Sequence, residues 1–305
     1  MNSNSTVQKV LITGGTGFIG TALCDKLIAS GYHLMVLTRQ SYNKHSSIQY
    51  INSLSDIAST EIIHHCINLA GEPLFSGPWT SNKRKKLFES RIGTTRQLIE
   101  LNKRLSTPFL TLLSGSAIGY YGNKGQTPVD ETAPPGTQLG AQLCDQWETV
   151  AKNASDQGTR VCFLRTGIVL GHGGALTPMK PLFKLGLGSP ISSGNQYWPW
   201  IGLEDMVLAI QFLIENTQIS GPVNLCSPQQ VTNKQFSKTL ADTLKKPIFL
   251  PGVPAWLLKA VTLGSSNLLT DSVKLVPKIL MQYGFQFKHP RLSDAMARAI
   301  YRDPR

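Results

Sequence analysis

Residues 13–20 read Thr-Gly-Gly-Thr-Gly-Phe-Ile-Gly, and no other stretch restricts the fold of this chain so tightly. The run follows Val10 to Thr13, a short apolar segment of the kind that forms a buried strand. It precedes Phe18 to Ala29, where Ile19, Leu23, Leu27 and Ile28 fall on one helical face. Strand, glycine-rich turn and helix together are the setting of a dinucleotide fingerprint. Gly14, Gly17 and Gly20 satisfy GxxGxxG, while Gly15, Gly17 and Gly20 satisfy GxGxxG. Such glycines permit the tight turn, let backbone approach a pyrophosphate, and let helix and strand pack closely. With Thr16, Phe18 and Ile19 they make the expected phosphate cradle, at a helix N-terminus where free N–H groups and the dipole favour anions. The alternative is a glycine-rich turn without a ligand.

The end of the second strand, His33 to Leu37, discriminates between cofactors. An acid about 20 residues past the glycines would bind the ribose 2′-hydroxyl of NAD. Here Thr38 and Arg39 occupy that place. A guanidinium can pair with a 2′-phosphate through charge-assisted hydrogen bonds, and a threonine hydroxyl can add to them. The expected cofactor is therefore NADP(H), against the alternative of a solvated surface arginine.

Further along, Ile62 to Leu69, Phe109 to Leu113 and Val161 to Arg165 read as strands, and Leu139 to Ala154 as a helix. Ser81 to Arg104 reads as one long basic helix, with Leu87, Ile92, Leu98 and Leu101 as its buried positions. Ser41 to Ser59 is polar and supports no assignment. Alternating strands and helices indicate a parallel sheet covered on both faces. After Gly171 the texture changes to frequent Gly and Pro, before helical patterns resume at Asp205 to Glu215, capped by Glu204 or Asp205, and at Asn233 to Lys245.

The formal net charge is +12, compatible with a phosphorylated ligand or with a generally basic, solvated surface. Its densest cationic run, Lys83 to Lys86, lies inside a helical pattern, and no usual nucleic-acid motif is present. Five cysteines at 24, 66, 144, 162 and 226 form no CxxC pair, which suggests reduced thiols and no metal cluster. The N-terminus does not read as a signal peptide, and no apolar stretch reaches the ~18 residues of a membrane span. The expected location is the cytoplasm. The expected partner is a small-molecule substrate, with neither nucleic acid nor membrane, and a homodimer is admitted.

TGGTGFIG resembles the signature of the extended and atypical short-chain dehydrogenases/reductases, the NAD-dependent epimerase/dehydratase superfamily. INLAGEP (67–73), SRIGTTRQL (90–98), SAIGYYG (116–122), RTGIVLG (165–171), FKLGLGSPISSGNQYWPWI (183–201) and GPVNLCSP (221–228) are similar to its YfcH-type, cell-division-inhibitor-like branch. The stretch from about Ile248 to Ala299 resembles the small domain that closes those proteins. The resemblance implies cofactor contacts at Leu69, Ala70 and Gly71 beside the adenosine ribose, at Lys86 and Arg91 in the following helix, and at Val169 by the nicotinamide.

Members of that superfamily use Ser, Tyr and Lys, the last two spaced YxxxK, for general acid–base catalysis beside hydride transfer. Glu148 matches a glutamate often found four residues after the lysine, which puts Cys144 at the lysine place and Gly140 at the tyrosine place. The dyad is absent. Ser116 matches the catalytic serine, and Tyr120 or Tyr121 could replace the missing acid or simply pack. Cys144 reads as a buried apolar residue, or as a nucleophile lacking a base. After Trp200 and Ile201 the family usually has His, where this chain has Gly202.

The expected fold is α/β: a Rossmann, doubly wound parallel sheet with a smaller C-terminal α+β substrate lobe. The sheet domain would span 1–170 with about 203–227 returning to it, and the lobe 171–202 and 228–305. The expected function is NADP-dependent oxidation–reduction or epimerisation of a small carbonyl or sugar-like substrate. The alternative is a non-catalytic NADP(H) sensor, which the family label connects with cell division.

Overall fold

The computed structural model describes residues 7–40, 46–74, 77–250, 252–253 and 267–301. Strand β1 (Lys9–Thr13) shows why its sequence is a continuous apolar run. Val10 and Ile12 pack with Leu23 and Leu27 of helix α1 (Phe18–Ala29), whereas Leu11 joins Met35, Leu98 and Leu112 in a second core on the opposite face. A strand covered on both faces has no polar side to alternate.

The strands that follow are β2 (His33–Leu37), β3 (Ile48–Ile51), β4 (His65–Asn68), β5 (Thr111–Ala117), β6 (Pro128–Val129), β7 (Arg160–Thr166), β8 (Ile168–Leu170), β9 (Trp200–Gly202), β10 (Gly221–Leu225) and β11 (Lys274–Leu275). Seven of them form one parallel sheet in the order β3-β2-β1-β4-β5-β7-β10. The order reverses at β1, and ligands of such sheets bind at the carboxyl ends of the strands beside that reversal. The doubly wound α/β fold expected from the alternation is present.

Helices α2 (Ser81–Phe88), α3 (Thr94–Arg104), α4 (Leu139–Lys152), α5 (Leu176–Lys184), α6 (Leu203–Glu215) and α7 (Asn233–Thr243) follow in chain order. After them come the short turns α8 (Asn267–Thr270) and α9 (Lys278–Gln282), then α10 (Leu292–Tyr301). A separate apolar cluster brings Trp198 and Trp200 together with Phe236 and Leu240 of α7 and Met296 of α10. β8 and β9 pair with each other and not with the large sheet. In contrast, α6 packs into the core beside α1, and β10 is the edge strand next to β7.

The structure departs from the sequence reading in three informative places. β3 lies within the polar stretch left unassigned; as an edge strand it buries only Ile51 and so carries little apolar signal. Residues 41–45 of that stretch lie outside the described residues. The long helix Ser81–Arg104 is interrupted by a π-helical turn at Glu89–Gly93, although its four expected core positions are buried. The expectation that Glu204 or Asp205 caps α6 is corrected: Gly202 holds the cap position in an extended conformation. Asp205 instead accepts backbone N–H groups from Lys288 (2.7 Å) and His289 (3.0 Å), fastening the chain before α10 to the first turn of α6.

Candidate cofactor and substrate site

The loop between β1 and α1 leaves no room for side chains where the glycines stand. Gly14 has φ +71°, and a Cβ on it would lie 2.7 Å from the Leu69 carbonyl oxygen. A Cβ on Gly20 would lie 2.1 Å from the Gly14 carbonyl oxygen, so the helix can sit this close to the loop only without one. Gly15 packs in the same way on Val36 of β2. Thr16 and Gly17 are exposed at the tip. Gly17 caps α1 without a side-chain hydrogen bond, and the first turn holds no acid, so its positive end is open to an anion. The side chain of Phe18 turns away from the tip and packs on Gly171, Gly173 and Gly174, where added Cβ atoms would meet its ring at 2.7–2.8 Å. Phe18 and Ile19 can thus offer a ligand their backbone N–H groups, with their side chains used for packing.

Thr38 is buried at the end of β2; its hydroxyl accepts the Gln40 N–H at 3.2 Å and its carbonyl accepts from Asn52 at 2.9 Å. Arg39 beside it is exposed. Across the crevice, Glu72 follows Leu69, Ala70 and Gly71 in the loop after β4 and pairs with Lys83 of α2 at 2.8 Å. Lys83 foremost, with Lys86 and Arg39 adding, holds the Glu72 carboxyl below its ordinary range. Lys83 thus contacts this carboxylate directly, while Lys86 and Arg39 act on it from further away. The sequence reading named Arg39 and Lys86 but missed Lys83 and Glu72, whose convergence requires two loops and a helix to meet.

Arg91 lies in the π turn. Its guanidinium donates to the carbonyls of Leu87 (3.3 Å) and Glu72 (3.1 Å), lies 5.4 Å from the Trp147 ring, and fills the space a Cβ on Gly71 would need. Burial pulls its pKa down. It braces the loop after β4 from beneath. Val169 is buried in β8.

Ser116 and Tyr120 belong to a different, buried assembly. The Ser116 hydroxyl donates to Glu148 Oε1 at 2.6 Å, and Arg165 grips the same carboxylate through Nε (2.9 Å) and Nη2 (2.8 Å). Arg165 Nη1 also donates to the Tyr121 hydroxyl (2.9 Å), which donates to Asn224 Oδ1 (2.6 Å). The Tyr120 ring stacks on the Arg165 guanidinium, 3.5 Å from ring centre to Cζ. Burial pushes both phenols up, with Glu148 adding for Tyr120 and Glu131 for Tyr121. Glu131 extends the network: its Oε1 accepts the N–H groups of Asn224 (3.1 Å) and Ile279 (3.2 Å). The assembly ties β5, α4, β7 and β10 to the C-terminal segment. Ser116 has spent its proton on Glu148, which leaves only its lone pairs for a ligand.

Beside this network, a cavity of about 90 Å³ opens between the ends of β5 and β8, the start of α4 and the C-terminal segment. Trp79, Ile118, Leu139, Ile168, Trp198 and Leu268 form its apolar walls, and neither Ser116 nor Tyr120 lines it. Gly140, at the place of the dyad tyrosine, lies at its edge, and Leu268 fills the space beyond: its Cδ2 would be 3.4 Å from a Cβ on Gly140. Cys144, at the lysine place, is buried behind Gly119, and burial foremost pushes its thiol up to about 11. All five cysteines are buried and unpaired. Among the described residues no group of three or more His, Cys, Asp or Glu is placed to hold a metal, and no helix is long and apolar enough to cross a membrane.

A parallel sheet with a reversed strand order and a glycine cradle at that reversal define a Rossmann-type nucleotide-binding fold. The chain belongs to the NAD dependent epimerase/dehydratase family, which matches residues 10–226, and residues 253–299 match a domain of unknown function, DUF1731. It is 35% identical to epimerase family protein Mb2239 of Mycobacterium bovis, covering 96% of this chain and 98% of the relative. It is 34% identical to the chloroplastic epimerase family protein SDR39U1 homolog of Arabidopsis thaliana, covering 95% of this chain and 86% of the relative. The structure superposes on human epimerase family protein SDR39U1 (isoform 2), solved with NADPH, with a TM-score of 0.88 at 29% identity, covering 96% of this chain and 99% of that one. A nucleoside-diphosphate sugar epimerase from Corynebacterium glutamicum gives a TM-score of 0.77 at 28% identity, covering 96% of this chain and 58% of that one. None of these relatives carries the narrower cell-division label.

Proposed function

We propose that this protein binds NADP(H) and acts as an oxidoreductase or epimerase on a small carbonyl or sugar-like substrate. The observation that carries the cofactor choice is the exposed Arg39 after buried Thr38 at the end of β2, where no acid follows the strand. The SDR39U1 structure with NADPH supports the same choice. The cradle fits the cofactor on its own terms, since added Cβ atoms at Gly14 or Gly20 would collide with backbone.

In this reading the amides from Gly14 to Gly20 hold the diphosphate, Arg39 and Lys86 hold the 2′-phosphate, and the backbone of Leu69, Ala70 and Gly71 lines the ribose. Val169 lies toward the nicotinamide, which when bound supplies a carbon that exchanges hydride with a substrate. The protein orients that end, excludes water with the aromatic walls of the cavity, and positions the substrate oxygen. Calorimetric titration tests the cofactor assignment. Arg39→Ala is expected to weaken NADPH by about 10- to 50-fold and leave NADH unchanged. Equal affinity of the unaltered protein for both nucleotides would overturn it.

Gly140 and Cys144, standing where tyrosine and lysine would be, favour a second reading: an NADP(H) sensor without turnover. NADPH consumption with a panel of small aldehydes and ketones, together with interconversion of epimers without net consumption, separates the two, since a sensor binds NADPH and does neither.

A further inference from the structure

Among the described residues the cavity has one ionisable carboxyl on its wall, and it comes from the C-terminal segment. Asp271 follows α8 and is half-buried. Its backbone N–H donates to the Asn267 carbonyl at 2.8 Å. Its neighbour Ser272 is fixed three ways: its N–H donates to Asn123 Oδ1 (3.1 Å), its hydroxyl donates to the Gly125 carbonyl (2.6 Å), and that hydroxyl accepts the Tyr197 N–H (3.0 Å). The carboxyl is thus held on a rigid support. Gln138, Tyr197 and Asn267 are the other lining side chains with polar atoms beyond indole, and no lysine or arginine lines the cavity among the described residues. Lys274, three residues further on, lies over the Tyr197 ring, and Lys124 meets this segment through its backbone N–H. Burial pushes the Asp271 carboxyl up to about 6.

We propose that this cavity binds a small, largely apolar molecule through one hydroxyl or amine that donates to Asp271, and that it rejects nucleotide-linked sugars. Two features require this together. A wall of tryptophan and aliphatic side chains gains from burying carbon surface, and one carboxylate among few polar groups fixes a donor group within it. A diphosphate needs cations or free N–H groups, and here it would meet a carboxylate across apolar surface. The volume agrees: a water occupies about 10–15 Å³ on the same measure, so about 90 Å³ suits a ring with one substituent and not a nucleoside diphosphate. The vacated tyrosine place completes the case. With glycine at 140, the floor of the cavity is backbone and Leu268, which leaves Asp271, among the described residues, as the carboxyl on its wall that can exchange a proton near neutral pH. The inference rests on the proposed function only for the position of the nicotinamide end; binding in the cavity is measured without it.

The test is a titration of the full chain with 4-fluorobenzyl alcohol followed by ¹⁹F NMR, with and without NADPH. Saturable broadening is expected for the unaltered protein. Asp271→Asn should weaken it by about tenfold, and Gly140→Trp, which fills the cavity, should abolish it. UDP-glucose should leave the signal unchanged. No saturable binding, equal binding in Asp271→Asn, or displacement of the probe by UDP-glucose would each overturn the proposal. Should Gly140→Trp fail to fold, Asp271→Asn decides alone. Thermal shifts with NADPH on the same samples keep the two readings apart: cofactor binding without probe binding defeats this inference, and probe binding without any nucleotide shift defeats only the cofactor assignment.

Discussion

At the glycine-loop end of the crevice the shape is set by backbone, through glycines within eight consecutive residues. At the opposite end it is set by side chains drawn from β5, α4, β7, β10 and the C-terminal segment, joined around Glu148 and Arg165. The first end gains its shape from what is missing, since a Cβ at Gly14 or Gly20 would strike backbone. The second gains it from a buried ion pair whose lone pairs and protons are satisfied by Ser116, Tyr121 and the Glu131 carbonyl. A backbone device tolerates change around it and fails when a single atom is added. A side-chain network fails when any one member is removed, because the partners left behind are buried and charged.

This contrast is most exposed to failure at Arg165. Arg165→Met leaves the Glu148 carboxylate buried without its cation, and an expected loss of about 3–5 kcal/mol should appear in urea denaturation. A loss no larger than that of an ordinary surface substitution would show that the network is decoration. Next in size, Gly20→Ala should cost the protein about 100-fold or more in NADPH affinity while the circular dichroism of the sheet and helices persists, because only the loop must move. Preserved affinity would mean that the loop does not touch the diphosphate. Ser116→Ala is milder. It removes one hydrogen bond to a carboxylate that keeps two from Arg165, so about 1–2 kcal/mol is expected in the same denaturation assay. A large fall in turnover at unchanged stability would instead place Ser116 in contact with substrate.

The smallest effect concerns pH. The Asp271 carboxyl is raised from 3.8 to about 6 by burial, so folding favours its protonated form. Stability linked to this group is complete below about pH 4 and is lost as pH rises through about 6. Asp271→Asn should therefore match the unaltered protein in melting temperature near pH 4 and exceed it near pH 8. The gain should be below about 1 kcal/mol, because a half-exposed carboxylate keeps much of its hydration. A lower melting temperature at pH 8 would reveal a cation partner for Asp271.

How much of this was legible depended on how local each feature is. The β1 strand, the glycine turn and α1 lie within 21 residues, and each segment carries its own periodicity, so the strand–turn–helix unit could be read from the chain alone. The interrupted helix was not. The π turn is held by Arg91 reaching the Glu72 carbonyl 19 residues away, a contact with no periodic signature. Asp205 has the composition of a helix cap, and only the fold shows its carboxylate serving backbone N–H groups of residues 288 and 289. Phe18 looked like part of a cofactor loop, yet its ring finds its place against three glycines more than 150 residues further on.

From the chain alone, then, came the parallel sheet, the cradle and the loss of the Tyr–Lys dyad, because backbone conformation and short-range pattern are written in neighbouring residues. Tertiary contact decided what replaced the dyad: Leu268 closing over Gly140, Ser116 committed to Glu148, and Asp271 carried to the cavity wall from the far end of the chain. Burial and charge pairing act across distances that sequence order does not record, so the cavity and the network beside it exist only once the C-terminal segment has docked.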